Sequence, residues 1–267
     1  MEKLTTILVF VPRGGSSGPV FEKMLRLAGQ FDAQVEFFLA AASDYFAFAG
    51  RRATLEGATD YTISDGSTPL ARQFLRRAAE IGADLLMVPR AQLDLEGCAI
   101  PILMLSETSW AGEPRFAAAV DVSNDECAAL TRGILHVAGF LAQRFLAHVD
   151  ILYAEREQHD HALRMERAVR LARLVREYHV GCELLQVFDG PPERVLPRLI
   201  ADRRYDALLV GVAPHHGALS EFHSVAGKLT AATAGDVVLV APAAEPDAQS
   251  ARQADPRSAR QQLAHQA

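Results

Sequence analysis

The chain carries one structural plan twice. Asp84-Leu-Leu-Met-Val returns as Asp206-Ala-Leu-Leu-Val, and Val35-Glu-Phe-Phe-Leu returns as Val149-Asp-Ile-Leu-Tyr. Asp65-Gly66 returns as Asp189-Gly190, each time before a proline-started helical pattern. So long a period describes two copies of a domain rather than a solenoid.

Within each copy, short apolar runs alternate with helical patterns. Ile7–Val11, Val35–Leu39, Tyr61–Ile63, Leu85–Val88 and Ile102–Leu105 predict five strands in the first copy. Phe116–Val120, Val149–Tyr153, Glu183–Val187, Ala207–Val210 and Val237–Val240 predict five in the second. Apolar spacing of three and four marks helices through Val20, Phe21, Met24, Leu25 and Ala28, and through Leu70, Phe74, Leu75, Ala78 and Ile81. Thr68-Pro69 should open the second of these and Gly82 close it. Ser123 should cap the helix of Leu130, Ile134, Val137, Leu141 and Phe145, with Asn124, Asp125 and Glu126 in its first turn. Further helices are expected over Ala162–Tyr178 and Glu193–Ala201. Pro197 inside the last predicts a kink or a late start, since an interior proline costs roughly 3 kcal/mol. Asp44–Ala58 reads as loop plus partial helix.

This alternation is the α/β pattern: open parallel, Rossmann-like sheets with right-handed crossovers. Gly, Ser, Thr and Pro cluster over Glu107–Pro114, which sets expected domains of 1–110 and 111–243. The remainder, 244–267, is poor in large apolar residues and is expected to be disordered. A chain of 267 residues has room for roughly two domains. Its net charge of -6 argues against a nucleic-acid surface, and no apolar run approaches the roughly 20 residues of a membrane span. Ile7–Val11, closed off by Pro12-Arg13, is too short for a signal peptide. Three cysteines without C-x-x-C spacing suit reduced thiols, hence a cytoplasmic location.

Chemistry concentrates after the ninth run. Gly211, Pro214, His215, His216 and Gly217 form a loop that re-enters a helix near Ser224, and a strand, a glycine loop and a helix N-terminus can hold an anion. Asp121 stands where open α/β sheets bind ligands, and reads either as a ligand contact or as a turn carboxylate beside Ser123. Arg13-Gly14-Gly15-Ser16-Ser17-Gly18 is a second anion candidate, read chiefly as a loop. His215, His216, His223, His159 and His161 match no metal-ligand spacing. Arg164, Arg167, Arg170 and Arg173 line one helix, with Glu166 and Glu177 at pairing distance along it. No Ser/His/Asp order, paired carboxylates or HExxH is visible, and nothing demands an enzyme.

The stretch from Asp206 to Thr230 resembles the end of a universal stress protein domain, where a strand leads into Gly-x2-Gly-x9-Gly-(Ser/Thr) and loop amides hold a nucleotide. Gly211 matches the first glycine and Ser224-Val225-Ala226 the closing motif. Pro214 replaces the second glycine and cannot donate an N–H. His223 replaces the third, and the spacer His215–Phe222 is one residue short. The resemblance covers Thr5–Pro242 and implies a tandem, HUP-type pair of domains packed as an intrachain pseudo-dimer. It implies a ligand site at Asp121, Val122, Gly211, Gly217, His223, Ser224 and Val225. The first copy has Pro12 in place of the ligand aspartate and lacks the loop, so it is expected to be structural. The leading expectation is a non-catalytic stress-response binding or regulatory module without a certain cofactor. One alternative is an ATP- or AMP-binding member with weak ATP hydrolysis; another is a scaffold for a protein or apolar small molecule. A homodimer is compatible with either.

Overall fold

A strand buried on both faces needs apolar side chains at successive positions, and ten such runs form strands. A computed structural model describes residues 5–14, 18–31, 33–44, 60–66, 68–90, 95, 98–110, 113–123, 127–145, 147–155, 161–178, 180, 182–212 and 225–242. The expected tail and most of the Asp44–Ala58 stretch lie outside them.

The first half runs β1 (Thr6–Val11), α1 (Gly18–Phe31), β2 (Gln34–Leu39), β3 (Asp60–Ile63), α2 (Leu70–Ile81), β4 (Leu85–Pro89) and β5 (Ile102–Leu105). The second runs β6 (Arg115–Ala119), α3 (Ala128–Phe145), β7 (His148–Glu155), α4 (His161–Glu177), β8 (Cys182–Asp189), α5 (Pro192–Arg203), β9 (Ala207–Gly211), α6 (Val225–Ala232) and β10 (Asp236–Val240). The strands form one sheet in the order β3-β2-β1-β4-β5-β10-β9-β6-β7-β8. Every pairing is parallel except β5–β10. The expected pair of sheets is thus joined edge to edge, and the order reads the same outward from the seam in both halves.

Alternation along the strands sorts the core onto two faces. Ile7, Val9, Phe37, Met87 and Leu103 meet Met24 and Leu27 of α1, Ile134 and Leu141 of α3 and Leu171 of α4. Leu8, Phe10, Phe38, Leu86 and Met104 meet Phe74 of α2, Leu196 and Ile200 of α5 and Leu229 of α6. The connection between halves is anchored by Trp110, set edge-on to Phe116 at 5.7 Å and Phe145 at 5.4 Å.

The repeated residues do repeated work. Asp84 Oδ2 accepts the Thr5 and Thr6 N–H groups at 2.8 and 3.1 Å, tying the start of β4 to the start of β1. Asp206 Oδ2 does the same for Arg115 N–H at 2.8 Å, between β9 and β6. Gly66 and Gly190 end the third strand of each half with φ of 70° and 114°, a region that disfavours side chains.

The seam has one polar corner. Lys23 Nζ of α1 lies 2.6 Å from Asp236 Oδ1 and 2.6 Å from the Ser106 carbonyl. Ser106 donates its N–H and hydroxyl to the same Oδ1 at 2.7 and 2.8 Å. Asp236 is 0% exposed and Lys23 5%. Arg90, just past β4, donates to the carbonyls of Thr230 and Thr233 at the end of α6.

Some local expectations change. Thr68 does not cap α2: Pro69 is the cap residue, and Gln73 ties the turn instead by donating to Thr68 O at 2.6 Å and accepting from Ser64 and Asp65. The third helix begins at Ala128, later than a Ser123 cap implies, and Asn124–Glu126 lie outside the described residues. Helix α5 does not start late, since it opens at Pro192 and runs through Pro197. Arg164 and Arg167 reach the sheet, to Asp189 at 2.8 Å and Glu155 at 3.2 Å. No described helix is long and apolar enough to cross a membrane.

Candidate functional site

From β6 the chain proceeds outward through β7 and β8, then crosses back to β9 on the other side. The crevice at the C-terminal ends of β6 and β9 is therefore the topological switch point of this half, where open α/β sheets take ligands. A cavity of about 180 Å³ lies there. Its floor is Ala119, Val120 and Val210 at the strand ends, with Ala154 from β7. Its walls come from the first two turns of three helices: Leu130, Thr131 and Ile134 of α3, Pro192 and Leu196 of α5, and Val225, Ala226 and Leu229 of α6. Asp121, Cys127 and Gly211 complete it.

Three of the expected site residues meet in this cavity: Asp121, Gly211 and Val225. Val122 turns its side chain into the core at 2% exposure and is not among the residues lining the cavity. Gly217, His223 and Ser224 lie outside the described residues, as do Pro214, His215, His216 and His159. Among the described residues no cluster of three or more His, Cys, Asp or Glu is arranged to hold a metal. The glycine cluster after β1 is described only at Gly14 and Gly18.

Asp121 is an exposed carboxylate that bonds locally: its Oδ1 accepts Ser123 N–H at 2.8 Å. The turn reading of this residue is met in the structure, and the residue also lines the cavity. Thr131, 1% exposed, pins the Asp121 backbone from both sides, donating its hydroxyl to Asp121 O at 2.5 Å and accepting Asp121 N–H at 3.2 Å. Leu130 sits on Gly211, where a Cβ would lie 2.5 Å from its Cγ and Cδ2. Glycine at 211 is therefore what seats this leucine over the end of β9.

Beside the cavity, Arg167 holds Glu155, which is 2% exposed, at 3.2 Å. Burial pushes the neighbouring Tyr153 hydroxyl up to about 12, with Glu155 and Asp121 raising it further against Arg167. No disulfide involves Cys98 or Cys127, and burial raises the Cys98 thiol.

The sequence reading missed Thr131, Cys127, Pro192 and Leu196 at the site and took Leu130 as core alone. A signal existed: each follows a strand's C-terminal end and lies at or within two turns of the next helix's start, which is where such folds place their crevice.

No protein-family model matches the chain, and no curated protein matches its sequence. Solved structures do match its fold. A candidate universal stress protein from Pseudomonas aeruginosa UCBPP-PA14 superposes with a TM-score of 0.70 at 18% identity, over 90% of this chain and 94% of the other. A functionally unknown protein from Pseudomonas aeruginosa PAO1 gives 0.67 at 19%, over 90% and 93%. A universal stress protein from Archaeoglobus fulgidus DSM 4304 gives 0.60 at 10%, over 90% and 97%. The chain shares the universal stress protein fold over nearly its whole length.

Proposed function

We propose that the chain is a tandem stress-response binding module of the universal stress protein type, with a small-ligand site in its second half. Its domains are 1–110, a structural partner, and 111–243, the ligand-binding unit, followed by a tail at 244–267. The observation that carries this reading is the cavity at the ends of β6 and β9, which gathers Asp121, Gly211 and Val225 at the switch point. The reading is one of binding without turnover.

The test has two arms. A fragment screen followed on the Leu196 and Leu229 methyl resonances should find ligands that move both signals. Hits confined to other surfaces, or none at all, refute a ligand site here. Ala226→Trp should fill the cavity and abolish those shifts. In cells, loss of the gene should lower survival of starvation, oxidative or heat challenge, and the Ala226→Trp gene should fail to restore it.

A further inference from the structure

We propose that the outer side of α4 is a docking surface for a second copy of this chain, which lays its own α4 antiparallel against it about a two-fold axis. The proposal is independent of the ligand cavity.

A helix that only covers a sheet needs one apolar stripe, and α4 has two. Leu171, Leu174 and Val175 form the first, buried in the core. Ala162, Met165, Val169 and Ala172 form the second, at steps of three, four and three residues, the spacing of a seam between two helices. Met165 is 51% exposed and Val169 61%.

The second stripe looks outward from the end of the sheet. Arg167 reaches inward to Glu155 of β7, and Arg164 reaches outward to Asp189 of β8. The stripe continues round the helix past Arg164, so it overhangs β8, the outermost strand. Leu185 of β8, 37% exposed, lies two residues from Val187 and so shares its face of the sheet, the face that α4 covers. Three of the four large apolar side chains exposed among the described residues therefore gather at this one end. Scattered exposed apolar residues mean little, whereas a group of them marks a contact surface.

Charge names the occupant. In an antiparallel helix pair, residues on one flank of the seam meet the same flank of the other helix. Glu166 follows Met165 and Arg173 follows Ala172, so both stand on one flank, one heptad apart, and both are exposed. A two-fold axis that sets Val169 against Ala172 of the second copy sets Glu166 against Arg173 of that copy, and Arg173 against its Glu166. Both pairs are opposite in sign. The surface is complementary to itself, as an interface between identical copies about a two-fold must be.

The experiment is light scattering on the full chain over a dilution series from micromolar to millimolar. The mass should rise from 29.0 kDa toward twice that value. Val169→Glu puts a charge into the seam and should hold the mass at 29.0 kDa throughout. Because Val169 is exposed in the single chain, the circular dichroism spectrum should not change. Glu166→Arg and Arg173→Glu each bring like charges together, and each should weaken self-association by at least about tenfold. Mixed in equal amounts, those two variants should associate as the wild type does, since each supplies the charge that the other lacks. A wild type that stays at 29.0 kDa up to millimolar concentration overturns the inference. So does a dimer indifferent to Val169→Glu, or one broken instead by Tyr61→Glu on β3, the opposite edge strand. Single-charge variants that associate like the wild type, or whose mixture recovers nothing, overturn it as well.

Discussion

Replacing Lys23 by methionine removes the cation from the polar corner of the seam while keeping most of the side chain's volume. Asp236 then remains fully buried without its ion-pair partner. Charges 2.6 Å apart attract by ~6 kcal/mol at an effective dielectric constant of about 20. Stranding one member of such a pair typically costs about 3–5 kcal/mol. The loss is bounded, because the carboxylate can take a proton instead. Burial already raises Asp236 above its ordinary 3.8 despite the Lys23 ammonium, and losing that ammonium raises it further. A folded pKa above the unfolded one means the fold is favoured below the unfolded value and loses stability as pH rises through the folded value. Protonating a group of unfolded pKa 3.8 costs about 1.36 kcal/mol per pH unit, or ~6 kcal/mol at pH 8 and under ~2 kcal/mol at pH 5. Lys23→Met should therefore lose about 3–5 kcal/mol at pH 8 and less than ~2 kcal/mol at pH 5. The assay is urea denaturation followed by circular dichroism at both pH values. Adding Asp236→Asn should recover most of the loss and flatten its pH dependence. Equal losses at the two pH values, or no recovery in the double variant, would refute the reasoning.

Two further outcomes follow from other parts of the molecule. Gly235→Ala should lower stability by at least about 1–3 kcal/mol, the range for overpacking, because its Cβ would meet the backbone oxygens of Tyr205 and Asp206 at 2.4 and 2.5 Å; thermal melting checks this, and an unchanged midpoint sinks it. Burial, helped by Asp150 at 2.8 Å, pushes Tyr205 up to about 12, and Tyr153 stands there too. Ultraviolet titration should therefore leave Tyr153 and Tyr205 protonated near pH 11, and stability tied to both phenols should be present below pH 10 and lost as pH rises through about 12; loss of the late-ionising signal with both Tyr153→Phe and Tyr205→Phe is expected, and no such signal in the wild-type, still-folded chain contradicts this.

The strands and the repeat were legible because burial on both faces demands uninterrupted apolar runs, and because Asp84 and Asp206 keep the same backbone-tying task in each copy. The seam was not. Ile102–Leu105 and Asp236–Val240 read as interior strands whichever way they pair, and nothing local states that β5 and β10 run antiparallel. Lys23 and Asp236 are 213 residues apart, so their pairing had no sequence pattern to betray it. At the site, Asp121 was found from its place at a strand end. Its bond to Ser123 N–H was one of two readings, and the late start of α3 was invisible because Ser123 looks like a cap. Leu130 fell within a helical stripe, where a wall of the crevice and a core residue share one spacing.

The antiparallel joint between β5 and β10 also settles which way the two halves of the sheet look. All strands of one half head toward one rim of the slab, and all those of the other half head toward the opposite rim. Asp121, just beyond β6, and Pro12, just beyond β1, consequently lie at opposite rims of the sheet. No single small ligand can bridge positions on opposite rims, so a molecule held at Asp121 makes no contact with the residues beyond β1.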